Sequence, residues 1–182
     1  MHKFNLQLFA TKTPTRGARI VYLYRVLADA AQNTGTLLGF VTENENDISA
    51  DSDSTATKDG NIVTVSDPEI EITSTSILYK EDTMIDTLKD AMLNKSIVEC
   101  WEVNLDKPVA PDQTGTKFSG TYYQGYITEV DISSDADDNA TCELTYKANG
   151  KGASDGGAGV TVTKDQQSAA SYVFKDTTKT GA

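Results

Sequence analysis

The stretch from residue 69 to residue 105 contains three successive hydrophobic patterns, which predict a strand, a helix and a second strand. In its first part, apolar side chains at Ile70, Ile72 and Leu78 share one parity, and glutamate and threonine occupy the other. Alternation of this kind is typical of a strand with one buried and one exposed face. In the last part, the alternation resumes and ends at residue 105. The central unit is therefore predicted to be one helix lying on a sheet.

The helix is predicted over residues 83–93, where apolar residues recur at spacings of three and four. Thr83, with Asp86 three residues later, predicts a start that resembles a capping box. The helix is expected to end near Asn94, because asparagine can adopt the left-handed conformation that caps a helix C-terminus. Charged residues fill the positions between the apolar ones and mark the solvent side. The face predicted to enter the core consists of Met84, Ile85, Leu88 and Met92.

Strand-like segments account for most of the remaining chain. They span residues 20–27, 37–42, 62–65, 118–132, 142–146 and 160–162. The acidic turn at 133–139 predicts a hairpin between the two segments that flank it, and Thr163 with Gln166 predicts a capping box for a brief helix. The predicted fold class is mainly β, an antiparallel sandwich or barrel-like fold with one flanking α-helix.

A chain of 182 residues is predicted to form one domain, at 18–163, with an arm at each end. The arms are residues 1–17 and 164–182. The N-terminal arm carries the apolar residues Phe4, Leu6, Leu8 and Phe9 with nothing local to cover them. Two interpretations remain open for it, a floppy tail and an arm that docks on another subunit.

Within the domain, residues 42–60 are almost entirely polar and predict a long loop, and loops of this length are usually functional or disordered.

The chain is acidic, with a formal net charge of -11 at pH 7 and a pI near 4.4. Such a surface repels phosphate, which argues against a protein that grips nucleic acid but suits a surface that lets DNA pass without sticking. The sequence has no apolar run long enough to span a bilayer and no signal-peptide pattern, so folding in the cytoplasm is expected. Cys100 and Cys142 are expected to be buried free thiols, with a disulfide between them as the less favoured alternative.

Residue types that enzymes need are scarce. The one histidine, His2, lies at the terminus, which argues against histidine-based catalysis and against a zinc site. Oxygen-bearing side chains with the spacing of a calcium loop occur at Asp51, Asp53, Thr55 and Asp59. However, Ala56 stands where such a loop needs glycine, and Ile62 where it needs a bidentate glutamate. The sequence therefore predicts no catalytic, cofactor or metal site.

Aromatic residues gather on two of the predicted strands, at Trp101, Tyr122, Tyr123 and Tyr126. Aromatic side chains that alternate along strands most often fill a core or a subunit interface. The same residues also allow a platform that binds a carbohydrate or a peptide. The chain is therefore either a structural subunit or, as the alternative, a β-sandwich module that binds carbohydrate or a cell surface.

Five stretches together resemble a known family by their order and spacing. They are LYRVL at 23–27, DSDSTATKDGNIVT at 51–64, EIEITSTSILYKEDTMIDTLKDAM at 69–92, WEVNL at 101–105 and KFSGTYYQGYITE at 117–129. The chain is similar in these stretches to the major tail proteins of long-tailed bacteriophages, the small tail tube subunits of phages and prophages of Gram-positive bacteria. The resemblance extends from about residue 20 to residue 177.

The resemblance implies a structural virion protein without enzymatic activity. Its subunits would assemble into stacked rings, commonly sixfold, whose tube is the conduit for DNA ejection. The loop 42–60 would contact the next ring, and the residues expected there are Asn46, Asp47, Ile48, Asp51, Asp53 and Lys58.

The implied partners are other copies of the chain, the tape measure protein, the tail terminator and the distal tail proteins. Genomic DNA would pass through the lumen without specific binding, and no membrane partner is implied. The resemblance places the protein in the tail of the virion, and in the host cytoplasm during assembly. No cofactor or metal is expected.

Overall fold

The computed structural model describes residues 13–109 and 115–170, with only the backbone for residues 168–170. The strands within these ranges are β1 Ile20–Val26, β2 Thr36–Leu37, β3 Val41–Ser49, β4 Ser52–Thr57, β5 Gly60–Val65, β6 Glu69–Ile77, β7 Val98–Pro108, β8 Lys117–Ser133, β9 Thr141–Ala148, β10 Ala153–Ser154 and β11 Val160–Thr161. The helices are α1 Thr83–Leu93 and α2 Lys164–Ala170. The apolar residues predicted for the N-terminal arm, Phe4, Leu6, Leu8 and Phe9, lie outside the described residues.

One antiparallel sheet contains most of the strands, in the order β2-β1-β7-β8-β9-β6-β3, and β10 and β11 also pair with β8. The sheet folds over so that β1 faces β6. The Tyr24 hydroxyl on β1 lies 2.9 Å from the Ser74 hydroxyl on β6, which shows that the two strands are opposed. Ser74 donates its own proton to Asn44, so Tyr24 is the donor to Ser74. The predicted fold class, an antiparallel β-sandwich with a flanking helix, is confirmed.

Strand β8 belongs to both layers of the sandwich. Its residues 118–125 pair with β7, and its residues 125–133 pair with β9. Gly125 marks the change of partner, and a Cβ atom at this position would collide with the carbonyl oxygen of Lys147 on β9. The bare backbone of Gly125 therefore allows the strand to pass from one layer to the other.

The main core lies between the two layers and is lined by alternating residues of the strands. It contains Tyr22, Tyr24, Ile70, Ile72, Val98, Tyr123, Ile127, Leu144 and Tyr146. Cys100 and Cys142 belong to the same core as free, buried thiols, as the sequence predicted. A smaller cluster covers the other side of the β1-β7-β8 layer, where Val162 packs with Leu23 and Val103.

Helix α1 closes this core and contacts β8 and β1. Of the predicted core face, Ile85 and Leu88 are fully buried, while Met84 and Met92 are partly buried against the core. The bounds of the helix agree with the predicted 83–93. The helix therefore presents to the core the apolar stripe that its periodicity indicates.

Both caps of α1 differ from the prediction by one residue. Asp82, and not Thr83, is the N-cap, because its extended backbone lets its carboxylate accept hydrogen bonds from two amides of the first turn. At the other end, Asn94 has a φ of -89°, and the left-handed residue is Lys95, with a φ of 54°. The amide of Ser96 donates to the carbonyl of Ala91, which completes a Schellman motif around Lys95.

The predicted loop at 42–60 is wrong. The structure places residues 42–49 in strand β3 and residues 52–57 in strand β4. Strand β3 carries Asn44 and Asn46 on its inner side, where apolar residues would ordinarily signal a strand. These amides are paired with polar groups inside the sandwich, so a polar strand is stable there.

Candidate functional site

One outer surface of the sandwich is formed by β3, β6, β9 and the second half of β8. Paired residues of neighbouring antiparallel strands point to the same side of a sheet, and the register aligns Glu45, Thr73, Thr145 and Glu129 in one row. The neighbouring rows extend this surface in both directions. Its carboxylates, which define the acidic face, are Glu43, Glu45, Asp47, Glu69, Glu71, Glu129, Asp131 and Glu143.

The acidic face has little compensating positive charge. Lys147 lies on it and forms an ion pair with Glu71, with 3.0 Å between Nζ and Oε2. The hydrogen bond to Glu71 raises the pKa of Lys147, and the lysine neutralises one carboxylate of the face. Among the described residues, the other carboxylates of the face have no ion-pair partner. The surface therefore carries a negative potential that repels phosphate.

A polar clip holds the edge strand β3 against the opposite layer. The side-chain amide of Asn46 donates to Glu102 Oε2 on β7 at 2.5 Å, and it lies 3.4 Å from the hydroxyl of Tyr123. Asn46 was predicted to contact another ring, but its side chain points between the layers and is engaged within the subunit. Its role in this structure is to position β3, and with it part of the acidic face.

A projecting hairpin, residues 52–65, extends from the end of the β3-β6 pair. It consists of β4 and β5, which form a separate two-stranded sheet, and every residue of both strands is exposed. Val63 and Val65 share one side, with about 61% of each residue exposed, and Ile62 points to the other side. An isolated two-stranded hairpin is marginally stable in water. The two exposed valines, side by side on such an element, make this side of the hairpin a candidate contact surface.

The residues predicted for ring contact separate into two groups. Asp53 and Lys58 belong to the projecting hairpin, and Asp51 lies at its base, where its carbonyl accepts from the amide of Ser66. Asp47 lies on the acidic face, and Ile48 is largely exposed near the end of β3. The exposed valines of β5 were missed, although the sequence shows them as part of a short strand. Their isolation from the core appears only in the structure.

Both ends of the main sheet are free edges within the described part of the chain. Strand β3 pairs only with β6, and β2 pairs only with β1. An unpaired edge presents backbone donors and acceptors that a strand of another chain can use. The acidic face ends at one of these edges, so pairing at β3 would extend the face onto a neighbouring subunit.

The four aromatic residues considered as a platform do not share a surface. Trp101 and Tyr122 form a pair, with 5.3 Å between ring centroids, on the outer side of the β1-β7-β8 layer. Tyr123 is buried in the main core, and Tyr126 lies on the side of the acidic face. A single binding platform made of all four residues is therefore wrong.

Residues 13–109 and 115–170 contain no group of three or more acidic, cysteine or histidine side chains arranged to hold a metal ion. Over the same ranges, none of the helices has the length and apolar character needed to cross a bilayer.

Comparison with known sequences gives a family match over most of the domain. Residues 14–153 match the family described as phage tail tube protein. A protein of Staphylococcus phage phiMR25, whose name describes it as a tail protein, is 27% identical over 162 residues, which cover 89% of this chain and 82% of that protein.

Solved structures with the same fold come from several tail-like assemblies. The subunit of the SPP1 tail tube matches with a TM-score of 0.67 and 15% identity, over 93% of this chain and 95% of that one. The tail of a gene transfer agent, solved with C6 symmetry, matches with a TM-score of 0.59 and 11% identity over 78% and 98% of the two chains. A chain of the sheath-tube complex of an extracellular contractile injection system matches with a TM-score of 0.52 and 16% identity, over 76% and 90%.

Proposed function

Because this chain belongs to the phage tail tube protein family, we propose that its copies assemble into stacked rings of six subunits, whose channel conducts DNA out of the virion. The acidic face is the observation that carries this proposal. A conduit must let a polyanion slide, and binding of DNA depends mainly on cations that neutralise its phosphates. A sheet surface with many unpaired carboxylates meets this requirement, so the acidic face lines the channel.

Ring closure uses the free edges of the sheet. Strand β3 at one end and the β2-β1 end at the other offer unpaired backbone groups, and β3 carries three carboxylates of the acidic face. Contact between different patches on successive subunits closes into a ring when the rotation between them is suitable. Closure removes both edges and makes the acidic faces of all subunits continuous around the channel.

Ring stacking uses the projecting hairpin. Its valine side, Val63 and Val65, packs against a subunit of the next ring, and Lys58 in the turn contributes at its periphery. Asp53 lies on the opposite side with Ile62 and takes no part in this contact. Burial of two valine side chains stabilises such a contact by roughly 1.5–3 kcal/mol for each full burial. Six hairpins per ring act together, so a modest contact is multiplied around the circumference.

The tube's ends meet other tail proteins. A tube-terminating cap of the anti-feeding prophage and a sheath/tube terminator of a contractile injection system share this fold, with TM-scores of 0.51 and 0.53. We extend this to a terminator and distal tail proteins at the ends of the tube, and to the tape measure protein within it. Assembly takes place in the host cytoplasm.

Electron microscopy of the purified protein over a concentration series tests assembly. The expected result is rings and tubes with a central channel, and their number should rise with concentration. In the variant Val63→Asp with Val65→Asp, single rings should form without stacking, because a fully exposed strand tolerates charge but a buried contact does not. The matched control is Ile62→Asp with Thr64→Asp, which adds the same charge on the other side of the hairpin and should still stack. Normal tubes from the double valine variant would refute the stacking role.

Charge reversal tests the channel. In tubes assembled from Glu45→Lys with Glu143→Lys, DNA should be retained at low salt and released as salt rises, because each lysine that contacts phosphate adds to the salt dependence. The control is Glu81→Lys with Asp90→Lys, which changes the net charge equally but lies outside the acidic face. Equal DNA retention by both pairs of variants would show that total charge, and not the acidic face, governs passage.

A further inference from the structure

A cleft of about 510 Å³ lies on the outer side of the β1-β7-β8 layer, on the opposite side of the sandwich from the acidic face. Its lining includes Leu23, Trp101, Tyr122, Ala158 and Gln166. We refer to it as the aromatic cleft. Its position excludes it from the channel surface proposed above, so its occupant is a separate question.

The aromatic wall of the cleft is held in place by buried polar contacts. Arg25 stacks over the Trp101 ring, with 5.0 Å from its guanidinium carbon to the ring centroid, and pairs with Glu99 at 2.7 Å. The Tyr122 hydroxyl donates to the second oxygen of Glu99, also at 2.7 Å. The hydrogen bond to this almost fully buried carboxylate fixes the Tyr122 ring, and the ion pair fixes the Arg25 guanidinium that stacks on Trp101. The wall is therefore formed in advance of any occupant.

Part of the cleft lining consists of glycine and alanine, which leaves space beside the aromatic rings. Gly35, Gly120 and Gly159 line it together with two alanines. A Cβ atom on Gly35 would lie 3.0 Å from the Trp101 ring, so an added carbon would crowd the ring that forms the cleft wall. An apolar cleft of this kind is stabilised when a partner removes its surface from water.

The C-terminal part of the chain leads directly to this cleft. The capping box of α2 is formed as predicted: the amide of Thr163 donates to Gln166, and the amide of Gln166 donates to the Thr163 hydroxyl. Gln166 also lines the cleft and donates to the carbonyl of Gly35 at 2.9 Å, while Gln167 donates to the carbonyl of Val162. The start of α2 is thus fixed at the rim of the cleft.

The length of chain beyond α2 suits an occupant of the cleft. Ala170 is four residues after Gln166, which is about 6 Å along a helix axis. Tyr172, Val173 and Phe174 follow, and each further residue adds at most about 3.5 Å. The contour length from Gln166 to Phe174 is therefore at most about 20 Å, and a tether this short gives the two aromatic residues and the valine a high effective concentration near the start of α2.

We propose that the segment containing Tyr172 and Phe174 docks its aromatic rings in the aromatic cleft of its own subunit. Stacking on Trp101 and Tyr122 provides the contact, and the tether from Gln166 favours the same chain over a neighbour. The docked segment covers the apolar side of the sandwich and ties residues 164–182 to the domain.

Trp101 reports the proposed contact directly, because it is the single tryptophan of the chain. In dilute, unassembled full-length protein, the emission of Trp101 should be blue-shifted and protected from iodide quenching. The variant Tyr172→Ser with Phe174→Ser should shift the emission to the red and raise the quenching constant. The control is Phe40→Ser, which removes an exposed ring that packs on Tyr79 away from the cleft. Unchanged emission in the double variant, or protection that disappears on dilution, would overturn docking within the subunit.

A second experiment measures how accessible the segment that contains Tyr172 and Phe174 is to a protease. The change Ala158→Phe places a ring in the cleft from an exposed loop and should displace the segment without disturbing the core. Trypsin should then cleave after Lys175 faster than in the unchanged protein, as measured by mass spectrometry. Equal cleavage rates in the two proteins would refute the proposal. Neither experiment requires tubes to form, so failure of the assembly proposal would leave both results interpretable.

Discussion

Replacing Leu88 by alanine is expected to remove a large part of the stability of the domain. Leu88 lies in the middle of α1 and is 0% exposed, in contact with the core between the layers. The change deletes three carbons, worth about 0.8 kcal/mol each, and leaves a cavity whose cost adds to this loss. The expected decrease in the free energy of unfolding is therefore about 3–4 kcal/mol. Leu88→Asp should cost more, because it buries an unpaired charge.

Urea denaturation of dilute, unassembled protein measures this decrease, since assembly would stabilise the folded state by mass action. At about 2–4 °C per kcal/mol for a domain of this size, the melting temperature should fall by roughly 6–16 °C. Leu93→Ala is the matched control, because it makes the same substitution in the same helix at a residue that is 69% exposed. That change should cost no more than about 0.5 kcal/mol. Similar losses for both variants would show that helix propensity, and not core packing, anchors α1.

Three further perturbations test other parts of the fold. Asp82→Ala should lower the free energy of unfolding by about 1 kcal/mol in urea denaturation, because the N-cap is lost, whereas Thr83→Ala should lower it little. A larger loss for Thr83→Ala would show that Thr83 is the N-cap after all. Gly125→Ala should cost about 3 kcal/mol or more, since its Cβ meets backbone of β9 that cannot move aside, while Gly17→Ala has open space and should melt normally. Burial raises the pKa of Tyr24, so the Tyr24 hydroxyl loses its proton at a lower pH in the unfolded chain than in the folded protein. The contribution of Tyr24 to the free energy of unfolding is therefore complete below about pH 9 and should fall as the pH rises through about 10. Tyr24→Phe should make that alkaline decline shallower, and an unchanged slope would contradict the assignment.

The central strand-helix-strand unit could be predicted from sequence because its periodicity is strong and local. Strand β6 alternates at every position, and the apolar stripe of α1 identifies the residues that enter the core. The caps were each misplaced by one residue, because Asp82 and Thr83 are both good N-cap residues, and only the backbone conformation distinguishes them.

Strand β3 could not be predicted because its sequence is that of a loop. Asn44 and Asn46 occupy inner positions that are apolar in most strands, and their hydrogen bonds to Ser74 and Glu102 come from strands distant in sequence. Strand preference depends strongly on such context.

The acidic face could not be predicted from sequence either, because it also depends on contacts between strands that are distant in sequence. Its glutamates are scattered over four strands, and only the register of β3, β6, β9 and β8 places them on one side.

The passage of β8 through both layers has a mechanical consequence for a tube built from this subunit. One continuous strand is hydrogen-bonded to β7 in one layer and to β9 in the other, so sliding of the layers past each other would break both ladders at once. Shear inside a subunit is therefore resisted by covalent backbone as well as by packing. In the proposed tube, bending strain would therefore fall on the contacts between subunits, while each subunit turns as a stiff unit.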